Sequence, residues 1–88
     1  MALTSTQRYM DSRHLREEAA KYGCVVEMYH PRRKIFTLRK GDRWTYLKHP
    51  DTGMPIQRMR EVGVSIWKAA IKNGAEYLAS DHYRDTKN

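Results

Sequence analysis

Residues 34–48, KIFTLRKGDRWTYLK, contain two runs of strand-forming residues separated by Gly41-Asp42. Aromatic and β-branched side chains favour strands, and a Gly-Asp pair between such runs is a signal for a two-residue hairpin turn. The stretch therefore predicts a β-hairpin with strands at residues 34–39 and 43–48.

A third strand is predicted immediately before the hairpin. Residues 24–30, CVVEMYH, are rich in strand formers, and Pro31 stops the run. The connections between the three strands are too short for a crossover helix, so they should pair as an antiparallel meander.

The alternation of side chains along the strands predicts two different sheet faces. We expect the helices to cover one apolar face, made of Val26, Met28, Phe36, Leu38, Trp44 and Tyr46. The opposite face is predicted to be a mixture of aliphatic, aromatic, basic and polar residues: Val25, Glu27, Tyr29, Ile35, Thr37, Arg39, Arg43, Thr45 and Leu47.

Helical segments are predicted on both sides of the strands. The first spans residues 5–22, with Thr4 and Gln7 at capping-box spacing and Gly23 closing its end. A helical region follows over residues 55–79, and the tail at 80–88 is expected to fray. The sequence thus predicts one small α+β domain (residues 1–88) of order α-β-β-β-α, with the meander packed against both helical parts.

The composition indicates a folded intracellular protein. Of 88 residues, 40% are hydrophobic, which is too many for a disordered chain. Cys24 is the only cysteine, so neither an internal disulfide nor a cysteine-based zinc site is expected. The first residues lack the pattern of a signal peptide, and no apolar run is long enough to span a membrane. We expect a cytoplasmic location.

The charge balance points to an anionic partner. Lys and Arg number 17 against 10 acidic residues, which gives a net charge of +7. Such a charge steers a protein towards phosphates. Nucleic acid, either DNA or RNA, is the predicted partner, and an acidic protein surface is the alternative.

The meander is predicted to gather basic residues at the two ends of the sheet. One end should carry a cluster of four cations and two imidazoles: His30, Arg32, Arg33, Lys34, Lys48 and His49. Its outer members should lie two strand spacings apart, roughly 10 Å. The hairpin tip adds a smaller group, Arg39, Lys40 and Arg43. Arginine forks and lysine charges are the usual phosphate ligands, and Tyr29 and Ile35 are candidates for further partner contacts.

Two partial resemblances support this interpretation. The α-β-β-β-α order is similar to that of double-stranded-RNA-binding domains and of HicA-type toxin ribonucleases, although the Gly-Ser-His-like entry to the second strand of HicA proteins is absent. The second resemblance is local. The stretch around Gly63-Val64-Ser65 resembles the turn of a helix-turn-helix, which would place residues 65–68 at the start of a DNA-reading helix. The competing interpretation of Trp67 is that it is a core residue rather than part of such a helix surface.

Catalysis is not predicted. The four histidines, His14, His30, His49 and His82, show no paired metal-ligand spacing, and no metal or other cofactor is expected. The predicted function is non-enzymatic nucleic-acid binding through phosphate contacts. One alternative is a small accessory or inhibitory protein of a phage or mobile element that binds a host protein through its sheet face and basic turns. A weaker alternative is a toxin-like ribonuclease in which His30 and His49 share acid–base work.

Overall fold

A computed structural model describes residues 10–28, 36–81 and 83, with only the backbone described at Met28. The elements in chain order are helix α1 (Ser12–Ala20), strands β1 (Val25–Met28), β2 (Phe36–Lys40) and β3 (Arg43–Tyr46), a short 3-10 helix (Met59–Glu61) and helix α2 (Val64–Ala79). The predicted α+β fold with the order α-β-β-β-α is confirmed.

The three strands form one antiparallel sheet in the order β1-β2-β3. Lys40 pairs with Arg43 across the two-residue turn, where Gly41 has a positive φ of 65°. Glycine reaches this left-handed conformation without a steric penalty, which explains why the turn lies here. The predicted meander and its hairpin are therefore confirmed.

The facing of β3 is opposite to the prediction. Because Lys40 and Arg43 are paired, even-numbered residues of β2 share a face with odd-numbered residues of β3. Leu47 and Thr45 consequently lie on the covered face, with 0% and 6% of their surface exposed. The prediction for β3 was therefore wrong. Trp44 and Tyr46 do not lie on the covered face, and Arg43, Thr45 and Leu47 do not lie on the mixed one.

Helix α1 begins later than predicted. Asp11 has an extended backbone (φ −107°, ψ 173°), and its Oδ1 accepts the N–H of His14 at 2.8 Å. A continuous helix over residues 5–22 is therefore wrong, since Asp11 caps a helix that starts at Ser12. The predicted capping pair, Thr4 and Gln7, lies outside the described residues. After the helix, Gly23 adopts the predicted left-handed conformation (φ 72°).

The Asp11 cap leads to a pH-dependent prediction. The hydrogen bond from the His14 backbone N–H is the main reason why the pKa of Asp11 is below its ordinary value. The stabilisation is therefore fully present above the unfolded-state pKa and is lost as the pH falls through the folded-state pKa. We expect Asp11→Ala to lower the thermal midpoint at neutral pH, with a deficit that disappears in acid.

Asp11→Asn is the matched variant, because an asparagine amide oxygen still accepts the capping hydrogen bond but does not titrate. Thermal melts of the three proteins across the acid range provide the test. A deficit for Asp11→Ala that is independent of pH would contradict the assignment.

Helix α2 is continuous through Asn73 and Gly74. At Gly74 the helix lies so close to the sheet that an added Cβ would come within 3.0 Å of Leu38 Cδ2. The close approach explains a glycine inside a helix, despite its low helix propensity. The predicted helical start at Pro55 is wrong, because Pro55 forms a bridge with Lys48.

The core fills the space between the covered sheet face and the two helices. Its largest fully buried side chains are Trp67, Leu15, Leu38, Leu47, Ile56, Ile71 and Leu78. The thiol of Cys24 is also buried, donates to the Tyr22 carbonyl at 3.6 Å, and has a pKa raised by burial. Cys24 is therefore part of the packed core.

Candidate nucleic-acid interface

The predicted binding residues divide into two groups. Six of them, Tyr29, His30, Arg32, Arg33, Lys34 and Ile35, lie outside the described residues. The other five are at opposite ends of the sheet, with Arg39, Lys40 and Arg43 at the hairpin tip and Lys48 and His49 beyond the far end of β3. The hairpin-tip residues thus lie far from Lys48 and His49 along the sheet. That His30, Arg32, Arg33 and Lys34 lie beside Lys48 and His49 stays a prediction.

At the hairpin tip, two of the three cations have internal partners. Arg39 forms an ion pair with Glu27 on the neighbouring strand. Arg43 donates to the carbonyls of Leu78 and Ser80 at 2.8 and 3.1 Å, and its guanidinium lies 5.0 Å from the ring centre of Tyr83. Arg43 thus satisfies carbonyls that the end of α2 leaves unpaired. Its position favours a role in holding that helix end to the hairpin.

Lys48 and His49 occupy the end of the sheet where β1 stops and β2 starts. The N–H of Leu47 donates to the Phe36 carbonyl at 3.0 Å, so the chain passes this sheet end at Lys48. It is the same end from which residues 29–35 leave β1 and return to β2. Lys48 is exposed and forms no ion pair within the described residues.

A hydrogen-bonded turn fixes the position of His49. Its N–H donates to the Met54 carbonyl and its carbonyl accepts from the Gly53 N–H, both at 2.9 Å. Gly53 has the positive φ (73°) that such a turn requires. Residues 49–54 therefore form a tight, hydrogen-bonded turn.

The turn also determines the proton position on the His49 ring. The Asp51 N–H donates to His49 Nδ1 at 3.1 Å. A neutral imidazole that accepts at Nδ1 carries its proton at Nε2. His49 therefore offers an N–H donor at Nε2 in its neutral form.

A groove of about 370 Å³ lies between this turn and helix α2. Its lining residues come from the end of β3, the turn and one side of the helix: Thr45, Tyr46, Lys48, His49, Pro50, Gly53, Ala70, Asn73, Gly74 and Tyr77. None of these residues is acidic. The groove therefore combines a cation, an imidazole, an amide and mostly apolar walls, and no carboxylate is among its lining residues. Asp51 is the acidic residue of the adjoining turn.

Sequence reasoning missed the helical half of the groove. Asn73 and Tyr77 are four residues apart in the sequence, so they project from one side of α2. This spacing is a signal that could have identified them as a pair. Their proximity to Lys48 depends on how α2 crosses the sheet, which local sequence patterns do not specify.

Positive charge is unevenly distributed along the chain. Arg32, Arg33 and Lys34 are three consecutive cations in segment 29–35, which contains no acidic residue and connects β1 to β2.

The sheet face that the two helices do not cover is called the open face. One row across it consists of Val25, Arg39 and Trp44, and Val25 is 52% exposed. The Trp44 and Tyr46 rings meet edge to face with their centres 5.3 Å apart. The mixed character predicted for this face is present, and among the described residues its aromatic side chains, Trp44 and Tyr46, come from β3.

The helix-turn-helix interpretation is not supported. Only a three-residue 3-10 helix, Met59–Glu61, precedes Gly63, whereas the motif requires a full helix there. Trp67 is fully buried and its Nε1 donates to the Met59 carbonyl at 2.9 Å. The interpretation of Trp67 as a core residue is confirmed.

The arrangement defines a small α+β domain with a carboxylate-free, cation-bearing groove at one end of its sheet. No protein-family model, curated protein or solved structure matches the chain. Within the described residues, no helix has the length and apolar character needed to cross a membrane. The same part of the chain has no group of three His, Cys, Asp or Glu side chains placed to hold a metal ion.

Proposed function

We propose that the protein is a small, non-enzymatic, cytoplasmic nucleic-acid-binding module that contacts phosphates with Lys48, His49 and the basic residues of segment 29–35. The observation that carries the proposal is the groove beside Lys48, which presents a cation and an imidazole without any acidic lining residue. Phosphate recognition uses this combination of a lysine charge and N–H donors.

The charge distribution adds to this proposal. Arg32, Arg33 and Lys34 are consecutive cations, and segment 29–35, which connects β1 to β2, contains no acidic residue. Local concentrations of cations attract polyanions more effectively than the same charges spread among acidic residues. The proposal therefore assigns the phosphate contacts to this end of the sheet.

Charge reversal at Lys48 tests the proposal. We expect Lys48→Glu to weaken binding of a labelled oligonucleotide by about tenfold, since one charged contact is worth roughly 1.5 kcal/mol. The slope of log affinity against log salt should also become shallower by about 1, as for the loss of one phosphate contact. Fluorescence anisotropy over a series of salt concentrations measures both quantities.

Lys72→Glu is the matched control. Lys72 is exposed on α2, does not line the groove, and its reversal changes the net charge by the same amount. We expect it to change affinity much less than Lys48→Glu. Equal effects of the two variants would show that binding depends on net charge alone and would contradict a site at the groove.

The exposed row on the open sheet face favours a second candidate, an accessory or inhibitory protein that binds an acidic host protein. Val25 is the exposed apolar residue of that row, beside the Glu27–Arg39 ion pair. A packed protein interface should resist salt, whereas phosphate contacts should weaken steeply with it. For the weaker ribonuclease alternative, an RNA cleavage assay with His30 and His49 changed to Ala is decisive.

A further inference from the structure

The groove has a shape that selects among nucleic acids. We infer that it receives one unpaired nucleotide of a single-stranded nucleic acid, with the base between the turn and α2 and its phosphate at Lys48. This inference rests on the proposed function and adds the class of nucleic acid that the site takes.

The size and walls of the groove suit a single base. Its volume of about 370 Å³ lies at the lower end of small-ligand sites, which span roughly 300–1,000 Å³. Gly74 and Ala70 on one side and Pro50 and Gly53 on the other leave an apolar slot between helix and turn. Apolar walls with a few polar groups are typical of sites for flat heterocycles.

The groove also has polar lining residues of the kinds that bind nucleotides. Lys48 supplies a charge for the phosphate, and His49 supplies the Nε2–H donor that the Asp51 contact defines. Asn73, exposed on α2, offers both an amide donor and an amide acceptor. An amide can read the donor and acceptor pattern of a base edge.

A base inside a duplex cannot use this site. Paired bases are stacked, so their faces and pairing edges are covered, and a recess between a turn and a helix is accessible only to a base that is free of the stack. A duplex could contact Lys48 through its phosphates alone. The groove therefore predicts a preference for single strands.

The test compares a single-stranded oligonucleotide with a blunt duplex of the same length, using the full chain and both RNA and DNA versions. We expect the single strand to bind at least about tenfold more tightly, as the contacts of one accommodated base allow. Anisotropy with end-labelled probes at one fixed salt concentration gives the ratio.

Two variants examine the groove itself. Asn73→Ala removes the amide from an exposed helical position that alanine suits well. His49→Asn keeps an acceptor for the Asp51 N–H, as in an Asx turn, but removes the Nε2 donor. Asn73→Ala should weaken single-strand binding by about five- to tenfold, the value of one hydrogen bond, and leave duplex binding unchanged. His49→Asn removes a proposed phosphate contact as well, so it should weaken the binding of both single strand and duplex. Lys72→Ala, beside Asn73 but outside the groove, should have no effect on the ratio.

The outcomes separate the two proposals. If neither single strand nor duplex binds, the proposed function itself is wrong. If the duplex binds as tightly as the single strand, or if folded Asn73→Ala retains full single-strand affinity, phosphate binding stands and the single-nucleotide site is overturned. Thermal melts establish whether each variant is folded. If His49→Asn is not folded, Asn73→Ala still tests whether the groove binds a base.

Discussion

Replacing Trp67 with alanine should lower the free energy of unfolding by about 3–5 kcal/mol, the usual cost of removing a buried large aromatic side chain. Trp67 is fully buried, and its ring meets Phe36 edge to face with the centres 5.1 Å apart. Small domains have total stabilities of only about 5–15 kcal/mol. The variant should therefore be close to unfolding at room temperature.

Trp67→Phe keeps the experiment informative if the alanine variant does not fold. Phenylalanine preserves most of the apolar contact but removes the Nε1 donor, so the Met59 carbonyl loses its partner at 2.9 Å. An unsatisfied buried polar group costs about 1–3 kcal/mol. Urea denaturation followed by far-UV circular dichroism measures both variants.

A loss below about 1 kcal/mol for Trp67→Ala would place this tryptophan outside the core, because it would match a typical surface substitution. It would also revive the interpretation of residues 65–68 as an exposed reading helix. The helix is instead attached by its buried face, and the 3-10 helix at Met59–Glu61 is fixed to it through the indole hydrogen bond.

The order of elements could be predicted because its signals are local. The Gly41-Asp42 turn and the strand formers on either side of it are sufficient to specify the hairpin. The same turn also contains the information that corrects the facing of β3. A two-residue turn pairs Lys40 with Arg43, which places Thr45 and Leu47 opposite Leu38 and Phe36.

The start of α1 shows where local signals compete. Thr4 and Asp11 are both acceptable N-caps, and the sequence alone favoured the one with a glutamine three residues later. In the structure Asp11 caps α1 because Ser12–Ala20 is the segment whose apolar side, with Leu15 and Ala19, packs into the core. Tertiary packing therefore favours a helix start at Asp11.

The site was harder to predict than the fold because its residues interact over long sequence distances. Arg43 looked like an exposed basic residue of a turn, yet its hydrogen-bond acceptors are Leu78 and Ser80 at the end of the last helix. Likewise, Asn73 and Tyr77 line the same groove as Lys48, next to Gly74, where α2 lies close to the sheet. Neither arrangement leaves a pattern within a short window of sequence.

Reversing both Arg32 and Arg33 to glutamate should reduce nucleic-acid affinity by about 100-fold, because two charged contacts of roughly 1.5 kcal/mol each are lost. The slope of log affinity against log salt should become shallower by about 2, one unit for each phosphate contact. These arginines lie outside the described residues, so the prediction depends on the sequence and on the position of the strands that flank them.

The matched control is the double variant Arg16→Glu with Lys72→Glu. Both residues are exposed on helices, neither lines the groove, and the change in net charge is the same. If binding follows overall charge, the two double variants will be equally weak and their salt slopes will change together. If it follows the sheet end beside Lys48, only the Arg32 and Arg33 variant will lose both affinity and salt dependence. If the Arg32 and Arg33 variant keeps both the affinity and the salt slope of the unaltered protein, segment 29–35 is not part of the interface. Long-range attraction to Lys48 and the groove would then not come from these arginines.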